Sequence, residues 1–327
     1  MALDLTQPAD LLKYILTLDL NQCGIAVCIA SGDPDEKEYE YRLVNQSEKL
    51  AQKFRDALVE ALESYRQNLE DDNIELRDFS AETLKPEQEI EYLNILPYDS
   101  IKKQIEPVAN YLDLARFRHD EAAFIKKMRF YVVRVQPRSG PPINFYRRYS
   151  SSKMLSQSPF FGMWLQKDFY QDLDEPTFLF DRQIDCFSCE EHMFILQKHS
   201  FFQIFTISEL EKVARETLDK LEKKDFIHNF PQFKKDSLND KNKILKLKNI
   251  SSKPYLDMLT INDLEKTIKR YSLPIQVDII VGTGKKKLVY NAKERWAILH
   301  LLDDAYADSS MTRTSYYIKG KREIRRK

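Results

Sequence analysis

Glycine is scarce, at 7 of 327 residues. Loops that cradle phosphates need closely spaced glycines, because only a backbone without Cβ approaches a pyrophosphate closely. Neither a dinucleotide fingerprint nor a complete Walker motif is present. The nearest approach is Gly282-Thr-Gly284-Lys-Lys286, with one residue between its glycines where the Walker spacing needs four. It joins two apolar stretches and reads as a hairpin turn. Cysteine is equally sparse: Cys23, Cys28, Cys186 and Cys189. In a chain of this length without a secretory leader, four cysteines are expected as free thiols. Cys186-x-x-Cys189 with His192 has metal-like spacing but lacks a second pair, and strand alternation would put the two thiols on opposite faces. The five histidines stand in no hydrolase or metalloprotease frame, so no general base is nominated and no cofactor is expected. The longest apolar run, Cys23 to Ala30, has eight residues, against roughly 20 for a membrane-spanning helix. The expected location is therefore the cytoplasm.

Net charge is also missing, but the zero conceals an asymmetry. Residues 1–120 hold 25 acidic and 13 basic side chains, a balance of −12; residues 121–327 hold 26 and 38, a balance of +12. Length allows roughly two domains. The expected organisation is α+β: an acidic N-terminal α+β module over 1–120, followed by a basic, strand-rich α+β module over 121–327. A basic module suits a polyanion, and an acidic one suits a basic protein surface.

The hydrophobic periodicity supplies elements. Leu50, Phe54, Leu58, Ala61, Leu62, Tyr65 and Leu69 follow a helical repeat after the capping residue Ser47. A shorter helix is expected over 6–20, with strands at 23–30, 39–44, 74–79 and 89–95. Strands are also expected at 129–135, 143–149, 177–180, 184–189 and 192–197. Residues 241–248 fit strand or helix, and 262–271 a short helix stopped before Pro274. Residues 276–281 and 286–290 read as a hairpin around Gly282 and Gly284. Asn291, with Glu294 three residues on, reads as the cap of a helix that ends in Asp303-Asp304, where the dipole disfavours anions. Beyond it lies a polar, cationic and aromatic segment.

Basic stretches interleaved with aromatics are the strongest functional signal. They are Tyr146-Arg147-Arg148-Tyr149 with Lys153, the loop lysines Lys285, Lys286 and Lys287, and a C-terminal run containing Arg313, Lys319 and Arg322. Lys and Arg meeting phosphates confer affinity and salt dependence without reading sequence, while tyrosines can stack on unpaired bases. The competing chemistry is a Mg²⁺-dependent nuclease, which needs paired carboxylates. Asp181 with Asp185, and Asp303 with Asp304, are its candidates, with Leu196 standing where the usual acid before Lys198 would be.

Three stretches resemble one family: Thr177 to Asp185, His192 to Phe205, and Leu301 to Tyr316 with Lys319. Their order, and the closing Asp-Ser-x-x-Thr, Tyr and Lys pattern, resemble the KwaB-like proteins of the Kiwa anti-phage system over about 129–321. That resemblance implies a cytosolic DNA-binding protein acting with KwaA, a small membrane-embedded partner, against phage replication and gene expression. It implies recruitment to the inner membrane by that partner. Self-association is expected of a defence assembly. The motif positions carried over are Asp308, Ser309, Thr312, Tyr316 and Lys319. The expectation is thus a DNA-binding effector without catalysis. A nuclease and a scaffold docking its membrane partner through the acidic module are the alternatives.

Overall fold

The computed structural model describes residues 4–33, 38–70, 74–79, 89–118, 121–149, 163–166, 169–172, 180–282, 284–292, 296–309 and 311–318. The chain forms two compact units: Met1–Phe79 with Glu87–Thr206, and Ser80–Pro86 with Ile207–Lys327.

The first unit runs α1 (Pro8–Thr17), β1 (Gly24–Asp33), β2 (Glu38–Leu43), α2 (Glu48–Glu70), β3 (Glu75–Asp78), β4 (Glu89–Asn94), α3 (Asp99–Ala109), α4 (Ala122–Lys126), β5 (Met128–Gln136), β6 (Ile143–Arg148), β7 (Met163–Gln166), β8 (Phe169–Asp172), β9 (Cys186–Cys189), β10 (His192–Ile195) and α5 (Lys198–Ile204). An eight-stranded sheet has the order β2-β1-β5-β6-β9-β10-β4-β3. Its pairings are antiparallel except β3 with β4, which is parallel. The change of charge near residue 120 falls inside this sheet, because β1 pairs with β5 from Gly24↔Gln136 to Ser31↔Met128. Strand pairing follows apolar alternation and backbone hydrogen bonds, and net charge plays no part in either.

Alternation gives the sheet two buried faces. One presents Val133, Phe145, Phe187 and Phe194 to Leu11 and Ile15 of α1 and to Phe54, Leu58 and Leu62 of α2. The Phe187 ring stacks on Phe194 at 4.9 Å and meets Phe145 at 5.5 Å. The other face carries Cys28, Phe130, Tyr146 and Cys186, all buried. There Tyr146 meets Phe205 edge-on at 5.0 Å, and the Tyr41 hydroxyl donates to the Gln104 carbonyl of α3 at 2.7 Å. Cys186 and Cys189 lie on opposite faces. Burial pushes the Cys189 thiol up to about 12, which keeps it protonated and unreactive. The expected strand at 177–180 lies mostly outside the described residues. Residues 198–204 form the helix α5, and α3 carries Pro107 inside it.

The second unit runs α6 (Ser208–Lys224), β11 (Ile227–His228), α7 (Phe230–Leu238), α8 (Lys241–Ser251), α9 (Ile261–Tyr271), β12 (Val277–Ile279), β13 (Lys286–Val289), α10 (Ala297–Leu302), β14 (Tyr306–Asp308) and β15 (Ser315–Tyr317). This unit is largely helical, and its strands are short. The ambiguous stretch 241–248 is helix because Asp240 caps it, its Oδ1 accepting from the Asn242 N–H at 2.9 Å. A reciprocal capping box between Thr260 and Asp263 starts α9. The turn between β12 and β13 places Gly282 at φ 97° and Gly284 at φ 65°. Side chains rarely adopt those values, so glycine fits both positions. The helix expected from Asn291 begins at Ala297 instead, with Trp296 at its N-cap. The segment after it is a hairpin, β14 paired antiparallel with β15.

Phe187 is fully buried between two aromatic rings. Replacing it by Ala is expected to cost about 3–5 kcal/mol, read as a lowered urea midpoint of the far-ultraviolet circular dichroism transition.

Candidate nucleic-acid interface

Counted by compact unit, the charge asymmetry persists. Ile207 to Lys327 contains 27 basic and 17 acidic residues, a balance of +10, leaving 24 and 34 in residues 1–206, a balance of −10. Which cations face outward unneutralised depends on their partners.

Arg147 and Arg148 close β6 and point opposite ways. The Arg147 guanidinium turns to the 181–185 loop. Its Nε and Nη2 donate to Asp181 Oδ1 and Oδ2 at 2.9 and 2.7 Å, its Nη1 to Asp185 Oδ1 at 2.6 Å, and Nη2 also to Gln183 at 2.6 Å. The second Asp185 oxygen accepts from the Arg148 N–H at 2.6 Å. Asp185 has 0 % exposure. The bonds from both carboxylates hold the Arg147 proton still more tightly than usual, against a burial effect that acts the other way. This geometry has two consequences. The positive charge of Arg147 is already answered by two carboxylates, so phosphate would have to displace them. The nuclease pair Asp181/Asp185 holds an arginine where a divalent cation would sit, with every carboxylate oxygen engaged. The Arg148 side chain, by contrast, is exposed.

Asp303 and Asp304 do not converge either. Asp303 is buried and accepts from Lys246 of α8, equally buried, at 2.8 Å; Asp304 is exposed and adopts φ 51°. The pairing with Lys246 explains how an acid is tolerated at a helix C-terminus. The signal missed in the sequence is Lys246 itself, a lone cation inside the apolar run Ile244-Leu-Lys-Leu247.

The three loop lysines lean on acids of the second unit. Lys286 meets Glu265 at 2.8 Å, Lys285 meets Asp225 at 3.4 Å, and Lys287 also bonds Asp225. The bonds from Lys269 and Lys286 hold the Glu265 carboxyl down at about 2. The Lys285 and Lys286 ends remain largely in solvent. Such exposed pairs are worth about 0–1 kcal/mol, so a phosphate can replace the carboxylate at little cost.

The Asp-Ser-x-x-Thr motif builds a turn. Ser309 Oγ accepts from the N–H groups of Met311 and Thr312, both at 3.2 Å, and Thr312 Oγ1 from the Thr314 N–H at 3.4 Å. Asp308 accepts from Ser315 Oγ at 2.8 Å and from Arg270 Nε at 3.1 Å. Those bonds, Ser315 first, hold its carboxyl below the usual range. Arg313 and Tyr316 are exposed on this hairpin. Lys153, Lys319 and Arg322 lie outside the described residues.

Among the described residues no helix is long and apolar enough to cross a membrane. Fold and surface define a two-unit α+β protein in which one unit collects the cationic excess. The chain belongs to the KwaB-like family: the family described as Kiwa protein KwaB-like matches residues 125–312, which places it in Kiwa anti-phage defence. That span reaches from α4 through the motif turn, across both compact units. Comparison with curated proteins and with solved structures gives no match.

Arg147→Ala leaves the buried Asp185 carboxylate without its cation and is expected to lower stability by about 3–5 kcal/mol. Arg148→Ala removes an exposed side chain and is expected to change it by about 0.5 kcal/mol or less. Chemical denaturation of both variants measures the difference.

Proposed function

We propose that this chain is a non-catalytic DNA-binding effector of Kiwa, acting beside a membrane-embedded KwaA-like partner to block phage DNA replication and gene expression. The observation that carries this reading is the +10 balance of Ile207 to Lys327. Lys285, Lys286 and Arg313 are exposed there, and Lys319 and Arg322 follow in the sequence. These cations contact phosphates, so binding is salt-dependent and indifferent to sequence. Arg148 and Lys153 belong to the same proposal, while Arg147 is left to its two carboxylates. The −10 balance of residues 1–206 suits docking to basic loops of the partner, which recruits the protein to the inner membrane.

Fluorescence anisotropy of labelled double-stranded DNA over a salt series tests the reading. Affinity is expected to fall linearly on a log–log plot, and Lys285→Ala/Lys286→Ala to shallow the slope by about 1–2, near 0.9 for each lost phosphate contact. Unrelated duplex sequences should weaken equally. Absence of binding at low salt, or binding that ignores salt, contradicts the proposal.

A further inference from the structure

A continuous line of ring contacts crosses the surface of the second unit. Trp296 stacks on His300 at 5.5 Å with planes 22° apart, and His300 meets Tyr317 at 4.8 Å. Tyr317 touches Tyr306 at 5.8 Å, Tyr306 stacks on Tyr271 at 5.6 Å, and the Arg270 guanidinium lies 5.5 Å over Tyr271. Through these rings the β14–β15 hairpin is fastened to α10 on one side and α9 on the other. Its strands have three residues each. A hairpin that short does not hold its shape in water alone, so the rings and the Arg270–Asp308–Ser315 bonds fix it.

Alternation divides the hairpin into two faces. Tyr306 opposite Tyr317, and Asp308 opposite Ser315, share the anchored face; Tyr316 stands opposite Ala307 on the other. Tyr316 is 50 % exposed and makes no ring contact or side-chain hydrogen bond among the described residues. Ala307, its cross-strand neighbour, carries only a methyl group. In the adjoining turn Met311 is 92 % exposed, and Arg313 holds φ 55° with no side-chain partner among the described residues. Glycine would fill that left-handed position without strain, yet a cation stands there. Asp308, Ser309 and Thr312 account for the turn itself, and Tyr316 contributes nothing to it.

We propose that the outer face of this hairpin is a stacking platform for an unpaired base of single-stranded nucleic acid, with the Tyr316 ring under the base and Arg313 on the adjoining phosphate. The proposal rests on the DNA-binding reading and adds the form of nucleic acid that this surface takes. A rigid aromatic ring beside a cation stacks on any base. In a duplex both faces of a base are already stacked, so the same ring gains nothing there. The +10 balance of the unit attracts the backbone that carries the base.

The test uses the full chain, a fluorescein-labelled single strand of mixed sequence and the duplex made from it, titrated at one salt concentration. Tyr316→Ala is expected to weaken single-strand binding about fivefold or more, the loss of one stacked base, and to leave duplex affinity unchanged. Tyr316→Phe, which keeps the ring, should restore single-strand binding. A 2-aminopurine base in the strand should be quenched by the wild type and less by Tyr316→Ala. Unchanged duplex affinity also reports that the variant is folded. Single-strand affinity and quenching that survive Tyr316→Ala overturn the platform while sparing the duplex-binding reading, and point to a protein as the occupant of this face. Failure of the wild type to bind either probe overturns both.

Discussion

A carboxylate without access to water must be answered on every side, and Asp185 is. Its side chain takes the Arg147 guanidinium and the Arg148 N–H; its own N–H donates to the Tyr146 carbonyl at 3.0 Å; its carbonyl accepts from Leu196 and Gln197 at 2.9 and 2.8 Å. One residue thereby joins the end of β6, the entry to β9 and the exit from β10. Those strands are the centre of the eight-stranded sheet, so its order depends on this junction. The aromatic face of Phe145, Phe187 and Phe194 then has a fixed surface on which α1 and α2 close.

The same rule separates cations that build from cations that are available. Arg147 and Lys246 each pair with a buried carboxylate, Asp185 and Asp303, where breaking the pair strands a charge. Lys285 and Lys286 face carboxylates in solvent, where exchange of one anion for another costs little. Arg313 faces none among the described residues. Counting basic residues along the chain merges these three situations. Ranking them by what answers each charge takes Arg147 out of the proposed contact and puts its weight on the second unit.

Much of the first unit was legible from its apolar pattern. The helix from Glu48 and the strands at 129–135 and 143–149 follow local rules of period and β-branching, and in the second unit the turn at Gly282 and Gly284 follows the rule of positive φ. What stayed illegible depended on distant partners. Residues 241–248 carry a pattern that suits two structures, and the Asp240 cap decides between them. Asp303 looked misplaced at a helix end because Lys246, its partner, is 57 positions earlier. The segment beyond Ala305 read only as polar, cationic and aromatic because strands of three residues leave no period, and its anchoring rings come from Tyr271, Trp296 and His300. The motif residues Asp308, Ser309 and Thr312 were recognisable as a pattern, but their work in forming a turn needed the hydrogen bonds.

The central claim is that nucleic acid meets the second unit and leaves the Arg147–Asp181–Asp185 junction intact. Hydrogen exchange of the full chain, with and without saturating DNA, tests it most directly. The account predicts slowed exchange in residues 285–289 and 306–318, with residues 143–147 and 180–185 unchanged. Slowed exchange at 143–147 and 180–185, with none at the two hairpins, would contradict it.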